Sequence, residues 1–248
     1  MTSRDRVMTA LNHEKPDRVP VDFGGSRVTG IAALAYKNLL GHLGRDEDIR
    51  LYDIKQQLAI PSLEMVEAMG GDVVQITRLG PTTGMPFLRI DSWAEGTLTD
   101  GTPCLVPEGY DPVFREDGAI EIYRNGDLYA KRPYGSLYFD VVTAPLRDAE
   151  TIEDIENYQW PDPWSDREDS FLKSEVERLY HGTGYALFAG LPLYDCSFFE
   201  IGQTMFGFEN LMLNLMLKRD MMEYWLDRVL EHHLATLERF LAITGPYI

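Results

Sequence analysis

The chain closes on Thr244-Gly245-Pro246-Tyr247-Ile248, and this stop constrains the fold more than any internal motif. A helical pattern leads into it. Trp225, Leu226, Val229, Leu230, Leu237, Phe240 and Leu241 recur at helical spacing between Asp220 and Thr244. Gly245 and Pro246 break that helix. Tyr247-Ile248 then reads as the first step of another strand. A strand begun and not continued leaves a sheet edge unpaired. The expectation is the first part of a larger barrel.

Earlier segments repeat the alternation of strand and helix. Thr2 or Ser3 caps a first helix with Val7, Met8 and Leu11 on its apolar side, closed by Pro16. Val19, Val21 and Phe23 alternate with polar partners, a strand signature ended by Gly24-Gly25-Ser26. Thr29 caps a helix carrying Leu34, Leu39 and Leu40, closed near Gly44. Another helix runs from Pro61 to Met69, stopped by Gly70, and Asp72-Val73-Val74-Gln75-Ile76 reads as a buried strand. The pattern then changes. Asp100-Gly101, Asp117-Gly118 and Asn125-Gly126 are tight-turn pairs flanked by β-formers, which predicts an antiparallel β insertion at about 92–142. Thr151 caps a short helix, and Trp160-Pro161-Asp162-Pro163 reads as a turn. Helical pattern returns at Ser170 to Leu179, Tyr185 to Gly190 reads as a strand, and Pro192 to Phe206 as a loop and helix. About three strands are candidates for a parallel sheet, whereas a closed (β/α)8 barrel needs eight. The fold class read from the chain is α/β: a partial (β/α)8 barrel forming one domain over 1–248.

The formal net charge is -17, which repels phosphate backbones and argues against nucleic-acid binding. No apolar stretch is long enough to span a bilayer, and the N-terminus has no apolar signal-peptide centre. The two cysteines, Cys104 and Cys196, are far apart and form no disulfide framework, so a reducing cytoplasm is the expected compartment. His233 lies on the apolar stripe of the last helix and reads as a core histidine. His232 and His233 are adjacent, so their rings point about 100° apart and share one metal poorly.

Arg6-Val7-Met8-Thr9-Ala10-Leu11-Asn12-His13 followed by Pro16-Asp17-Arg18-Val19-Pro20-Val21 resembles the opening of the uroporphyrinogen decarboxylase superfamily. The resemblance continues through Thr29-Gly30-Ile31, Tyr52-Asp53 with Gln56-Gln57-Leu58-Ala59, Tyr138-Phe139-Asp140, Pro145-Leu146 and Phe188-Ala189-Gly190-Leu191-Pro192. It covers nearly the whole chain. It implies a (β/α)8 barrel with its cleft at the C-terminal mouth of the strands, and this chain as its N-terminal two-thirds. The superfamily includes decarboxylases of porphyrin biosynthesis and corrinoid-linked methyltransferases that act on methylcobamides.

The decarboxylase set departs from the family pattern here. The arginine-rich run after the family's first strand matches Phe23-Gly24-Gly25-Ser26-Arg27, where one arginine survives and the other is Phe. The family's aspartate over the pyrrole nitrogens falls at about Leu79, and its tyrosine at Phe198. A tetrapyrrole with many carboxylates needs several cations. Leu offers neither charge nor acceptor. The methyltransferase branch is therefore favoured over uroporphyrinogen decarboxylation. That preference concerns the parent family; for this chain's own activity the favoured reading is a non-enzymatic product, incomplete for catalysis, that is inactive or pairs through its open edge. The methyltransferase branch binds zinc through a His-x-Cys pair and a later Cys, none of which is matched here, so no metal is expected in this chain alone. Zinc and a methylcobamide partner are expected only of a full-length methyltransferase.

Site candidates are the residues at strand ends. Asp22, Gly24, Gly25, Ser26 and Arg27 follow the first strand, with Arg27 the best holder of an anionic group. A plain strand-to-helix turn explains the glycines equally well. Thr77 and Arg78 follow the next strand, where Arg78 reads as a substrate contact or an ordinary surface cation. Asp53 with Gln56 and Gln57 either lines the cleft or caps a helix. Tyr194 and Asp195 follow Tyr185–Gly190 and are the catalytic candidates, Asp195 as proton acceptor or as helix cap. The expected partner is a small molecule or a corrinoid protein, with a homo-oligomer allowed.

Overall fold

The structure is a computed structural model that describes residues 1–82, 84–160, 164–189 and 198–248. Helix α1 (Ser3–Leu11) is started by Thr2, whose side chain and Asp5 form a reciprocal capping box. Its buried residue is Arg6, while Met8 and Leu11 are 47% and 67% exposed. The expected apolar face is thus displaced by one charged side chain that an ion pair draws inward.

Residues 19–23 form no strand, contrary to the alternation of Val19, Val21 and Phe23. Only Val21 joins the neighbouring chain: its carbonyl accepts the Asp72 N–H at 2.7 Å, and its N–H donates to Asp72 Oδ2 at 2.8 Å. A side-chain carboxylate replaces the next ladder partner, so pairing stops after one residue. Strand β1 (Ile31–Ala32) runs directly into α2 (Ala33–Leu43). Thr29 does not cap α2; it bonds back to Ser26, and Ala32 stands at the N-cap without a side-chain bond. Gly44 closes α2 in the left-handed region. Strands β2 (Leu51–Asp53) and β3 (Leu58–Ala59) join β1 in an antiparallel sheet of order β1-β3-β2. Helix α3 (Leu63–Ala68) is capped by Ser62.

Strand β4 (Val73–Ile76) begins the parallel part. Antiparallel strands follow: β5 (Arg89–Thr97), β6 (Pro103–Glu108), β7 (Pro112–Phe114), β8 (Ile120–Arg124), β9 (Asp127–Arg132) and β10 (Asp140–Val141). They form a β5-β6 hairpin and a sheet of order β10-β9-β8-β7. The turn pairs named from sequence sit at its reversals: Gly101 and Gly118 have φ of 84° and 80°, and Asn125-Gly126 have 55° and 91°. Helix α4 (Ile152–Glu156) carries a Thr151–Asp154 capping box. Helix α5 (Asp166–Gly182) precedes β11 (Ala186–Ala189), which pairs in parallel with β4 from Ala186↔Val73 to Ala189↔Ile76.

Helices α6 (Phe198–Phe206), α7 (Phe208–Leu217) and α8 (Arg219–Thr244) complete the chain. Gly245–Tyr247 form a 3-10 turn, not a nascent strand. The Tyr247 ring instead packs edge-on against Tyr180, 5.2 Å between centroids. The protein is therefore mixed α/β, and no closed barrel forms among the described residues. The main core lies between α2, β2 and the antiparallel strands, where Tyr36, Leu51, Ile54, Leu88, Ile122 and Phe139 are buried. A second core joins α4, α6, α7 and α8 around Phe206 and Trp225.

Candidate functional site

The two parallel strands have unequal ends. At their N-terminal ends the chain is tied shut. The Arg4 N–H donates to the Gly184 carbonyl at 2.8 Å, and its guanidinium reaches the carbonyls of Tyr180 and Tyr185 at 3.0 and 3.1 Å. Below β4, buried Asp72 pairs with Arg6 Nη1 and Arg18 Nη1, each at 2.6 Å. Asp17 holds the other edge of Arg6 at 2.6 Å. Burial alone would raise the Asp72 pKa, but the Val21 amide and the arginines outweigh it and hold the carboxyl below its usual range. The Arg6 and Pro16-Asp17-Arg18 motifs thus build a clamp under the sheet.

The C-terminal ends of β4 and β11 lead into Thr77-Arg78 and into residues 190–197. Ligands of parallel sheets collect at that side. Asp53 at the end of β2, whose neighbours Tyr52 and Ile54 bond to Thr82 in the segment after β4, is 0% exposed and faces Arg27 of the 22–30 loop, Oδ2 to Nη1 3.6 Å. Asp53 Oδ1 accepts the Gln56 N–H at 2.9 Å, whereas Oδ2 accepts no hydrogen bond among the described residues. Burial raises the Asp53 pKa despite the opposing charge of Arg27. Neighbouring Tyr52 is also driven up, first by burial and then by the Asp53 charge. Here a carboxylate and the phenol next to it in β2 meet a guanidinium from the 22–30 loop at a buried site.

The other candidates divide. Asp22 accepts the Gly25 N–H at 2.7 Å and so closes its own loop. Ser26 is buried and bonds to Thr29 through both its amide and its hydroxyl. Gly24 has φ of 75°, and a Cβ there would lie 2.7 Å from Pro61 Cγ. Close packing and a left-handed backbone therefore account for that glycine without a ligand. A Cβ on Gly25 would meet Asp22 Oδ1 at 2.5 Å. Gln57 turns its side-chain amide onto the Ile54 carbonyl at 2.8 Å. Thr77, Gly24 and Gln75 line a cavity of about 620 Å³ along α5.

Arg78 is neither a surface cation nor an open anion site. It is 6% exposed and binds Glu168 of α5 through Nε–Oε1 at 2.6 Å and Nη2–Oε2 at 2.7 Å. Its guanidinium lies 4.8 Å from the Trp164 ring centre. Leu79, at the place of the decarboxylase aspartate, is buried and donates its N–H to Glu168. Tyr194, Asp195 and Cys196 lie outside the described residues.

Two features escaped the sequence reading. His233 is half-buried rather than a core residue, and burial with His232 beside it lowers its pKa. Both imidazoles line a cavity of about 650 Å³. No apolar periodicity announces such a place, because its walls come from distant segments. Cys104 sits in β6, where burial pushes the thiol up to about 11. Among the described residues no three His, Cys, Asp or Glu side chains are grouped to hold a metal. Nor is any described helix long and apolar enough to cross a membrane.

No family model matches the chain, and no curated protein or solved structure matches it either.

Proposed function

We propose that the chain is part of a small-molecule enzyme of the uroporphyrinogen decarboxylase type, nearest to the corrinoid-linked methyltransferases. Arg27 takes an anionic group of the substrate and Asp53 orients it. The observation that carries this reading is the Arg27–Asp53 pair, buried beside the segment that follows β4, with one carboxylate oxygen unbonded among the described residues. A purely structural ion pair is expected to be closer and better bonded.

The barrel reading draws on strand order. Segment 19–23, β4 and β11 lie side by side in sequence order, through the Val21–Asp72 bond and the parallel β4–β11 ladder. That order suits consecutive strands of a (β/α)8 wall. The antiparallel strands between β4 and β11 are then an insertion. The methyltransferase branch is preferred because buried Leu79 supplies no acid where the decarboxylase needs one, and Phe23 packs on the core. In that branch a methylcobamide supplies the methyl group. The part assigned to this chain is holding and orienting the acceptor.

The test is calorimetric titration with mercaptopropionate, a small anionic thiol. Binding should be saturable and fall about tenfold in Arg27→Met, as expected for losing a charged hydrogen-bond partner. Saturable binding untouched by Arg27→Met refutes the assignment. Turnover of uroporphyrinogen to coproporphyrinogen would instead establish the decarboxylase alternative.

A further inference from the structure

Helix α7 leaves most of its apolar surface uncovered. Leu211 and Asn214 turn inward, while Phe208, Met212, Leu215 and Met216 are exposed. Those four stand at i, i+4, i+7 and i+8, which is one stripe of an α-helix and normally faces a core. Phe199 of α6, also exposed, lengthens the stripe: its ring meets Phe208 edge-on, 6.4 Å between centroids. None of these residues belongs to the Arg27–Asp53 pair, so what covers them is independent of it.

Its size fits a protein interface. With Leu213 and Leu217 on its flank, the stripe exposes roughly 800 Å², above the largest patch of a typical monomer and close to one side of a standard interface. Its charge selects the partner. The chain carries a net charge of -17, so two copies repel across most of their surfaces. Between Ile201 and Arg219 the charged residues are Glu209, Lys218 and Arg219 alone. A second copy can approach here without that repulsion. Glu209 stands in the first turn of α7 and Arg219 just beyond its end, both exposed. Two copies of α7 laid antiparallel bring Glu209 of each towards Arg219 of the other and oppose their helix dipoles. Arg219 holds Glu223 at 2.7 Å, and Lys218 holds Glu150 at 2.7 Å. Exposed pairs of that kind stabilise little, so Arg219 can turn to Glu209. A lipid surface is the other apolar occupant, and an anionic one repels this chain.

We propose that α7 is the contact of a two-fold symmetric dimer of this chain: the two helices cross antiparallel near Met212, with Phe208 of each packed on the partner's Met216. A two-fold contact needs a patch complementary to itself. This stripe has an aromatic ring at one end and a flexible thioether at the other, a favourable pair when the copies run in opposite directions. Phe208 and Met216 stand at equal spacing on either side of Met212, so the same pairing forms on both sides of the axis.

Sedimentation velocity of the chain should show monomer and dimer in exchange, with a micromolar dissociation constant. Met216 is 81% exposed, so Met216→Glu should keep the fold by circular dichroism. It should weaken the dimer about a hundredfold, because a symmetric contact loses the side chain twice. Should Met216→Glu fail to fold, Phe208→Lys, also at an exposed position, takes its place with the same expected loss. Met212→Cys should be joined into a covalent dimer by a short bis-maleimide, well above the level that Cys104 and Cys196 give in the wild type. Phosphatidylcholine vesicles should leave the chain unbound in a flotation assay. The proposal is overturned if the chain is monomeric at about 0.1 mM, if the dimer persists in the charged variant, or if Met212→Cys crosslinks no better than the wild type. Flotation of the chain with the vesicles also overturns it and assigns the stripe to a lipid surface.

Discussion

Asp53→Asn should make the protein more stable at neutral pH while weakening its ligand site. Asp53 is 0% exposed, has one cation at 3.6 Å, and receives one backbone hydrogen bond at 2.9 Å. Burial therefore wins, and the folded pKa lies above the unfolded one. The sign follows from proton counts. Between the two pKa values the unfolded chain has released the proton and the folded chain has kept it, so stability falls as pH rises through that window. Above it, the folded protein carries a charge that it solvates worse than water does. Asn keeps the Gln56 bond through its carbonyl oxygen and removes the charge. An under-satisfied buried polar group costs about 1–3 kcal/mol. Removing most of that, at about 2–4 °C per kcal/mol for a chain of this size, raises Tm by about 2–10 °C. Thermal unfolding followed by circular dichroism at pH 8 and at pH 4 measures it. The gain should be present at pH 8 and shrink as pH falls through that window towards the unfolded pKa. A variant less stable than wild type at pH 8 would refute the reasoning, because Asp53 would then be a structural anchor.

Asp72→Ala removes a carboxylate held by two arginines and one amide, and should cost about 3–5 kcal/mol in urea unfolding, as for breaking a buried pair. Since the Asp72 pKa is depressed, that difference should be full above the unfolded pKa and vanish as pH falls through the folded one. Gly24→Ala places a Cβ 2.7 Å from Pro61 Cγ at φ of 75°, and should cost about 1–3 kcal/mol in the same assay. Cys104, buried with its thiol pushed up to about 11, should resist a thiol-reactive disulfide reagent at pH 8 in the native protein and react fully in denaturant.

The local parts of the fold were legible where a single residue type has one physical use. Thr151 with Asp154 and the three turn pairs at 100–101, 117–118 and 125–126 fall where their chemistry places them. Long helical stripes were readable in part: α8 buries Trp225, Val229 and Phe240 as its spacing implies, while Leu230 and Leu241 of the same stripe are exposed. Strands of two or three residues were not. β1, β2 and β3 are too short to express a period: the residues of β1 fall inside a stretch read as helix, and those of β2 and β3 announce no element. The alternation at 19–23 misled because an Asp72 carboxylate takes the position of a backbone partner, which no pattern records. For the site, Arg27 and Asp53 were both candidates, but their meeting depends on a long-range approach of two loops. Arg78 was read by its chemistry alone, without the Glu168 that arrives from ninety residues away.

Two aspartates show how the chain separates support from function. Asp53 and Asp72 are equally buried, and the sequence offers no way to rank them. Asp72 is saturated: two arginines at 2.6 Å and a backbone amide at 2.8 Å leave its pKa depressed. Asp53 is under-satisfied, with an oxygen that accepts no hydrogen bond among the described residues and a raised pKa. Had the two sites served only stability, both would be expected to show the saturated arrangement, since an ionised group buried with poor pairing opposes folding. The clamp lies under the N-terminal ends of the parallel strands, whereas the incomplete pair lies beside the segment that follows β4. The cost is thus concentrated at the Arg27–Asp53 pair, where a ligand can offset it. Binding that supplies the missing partner to Asp53 should stabilise the fold, whereas the same ligand should leave the Asp72 clamp unchanged.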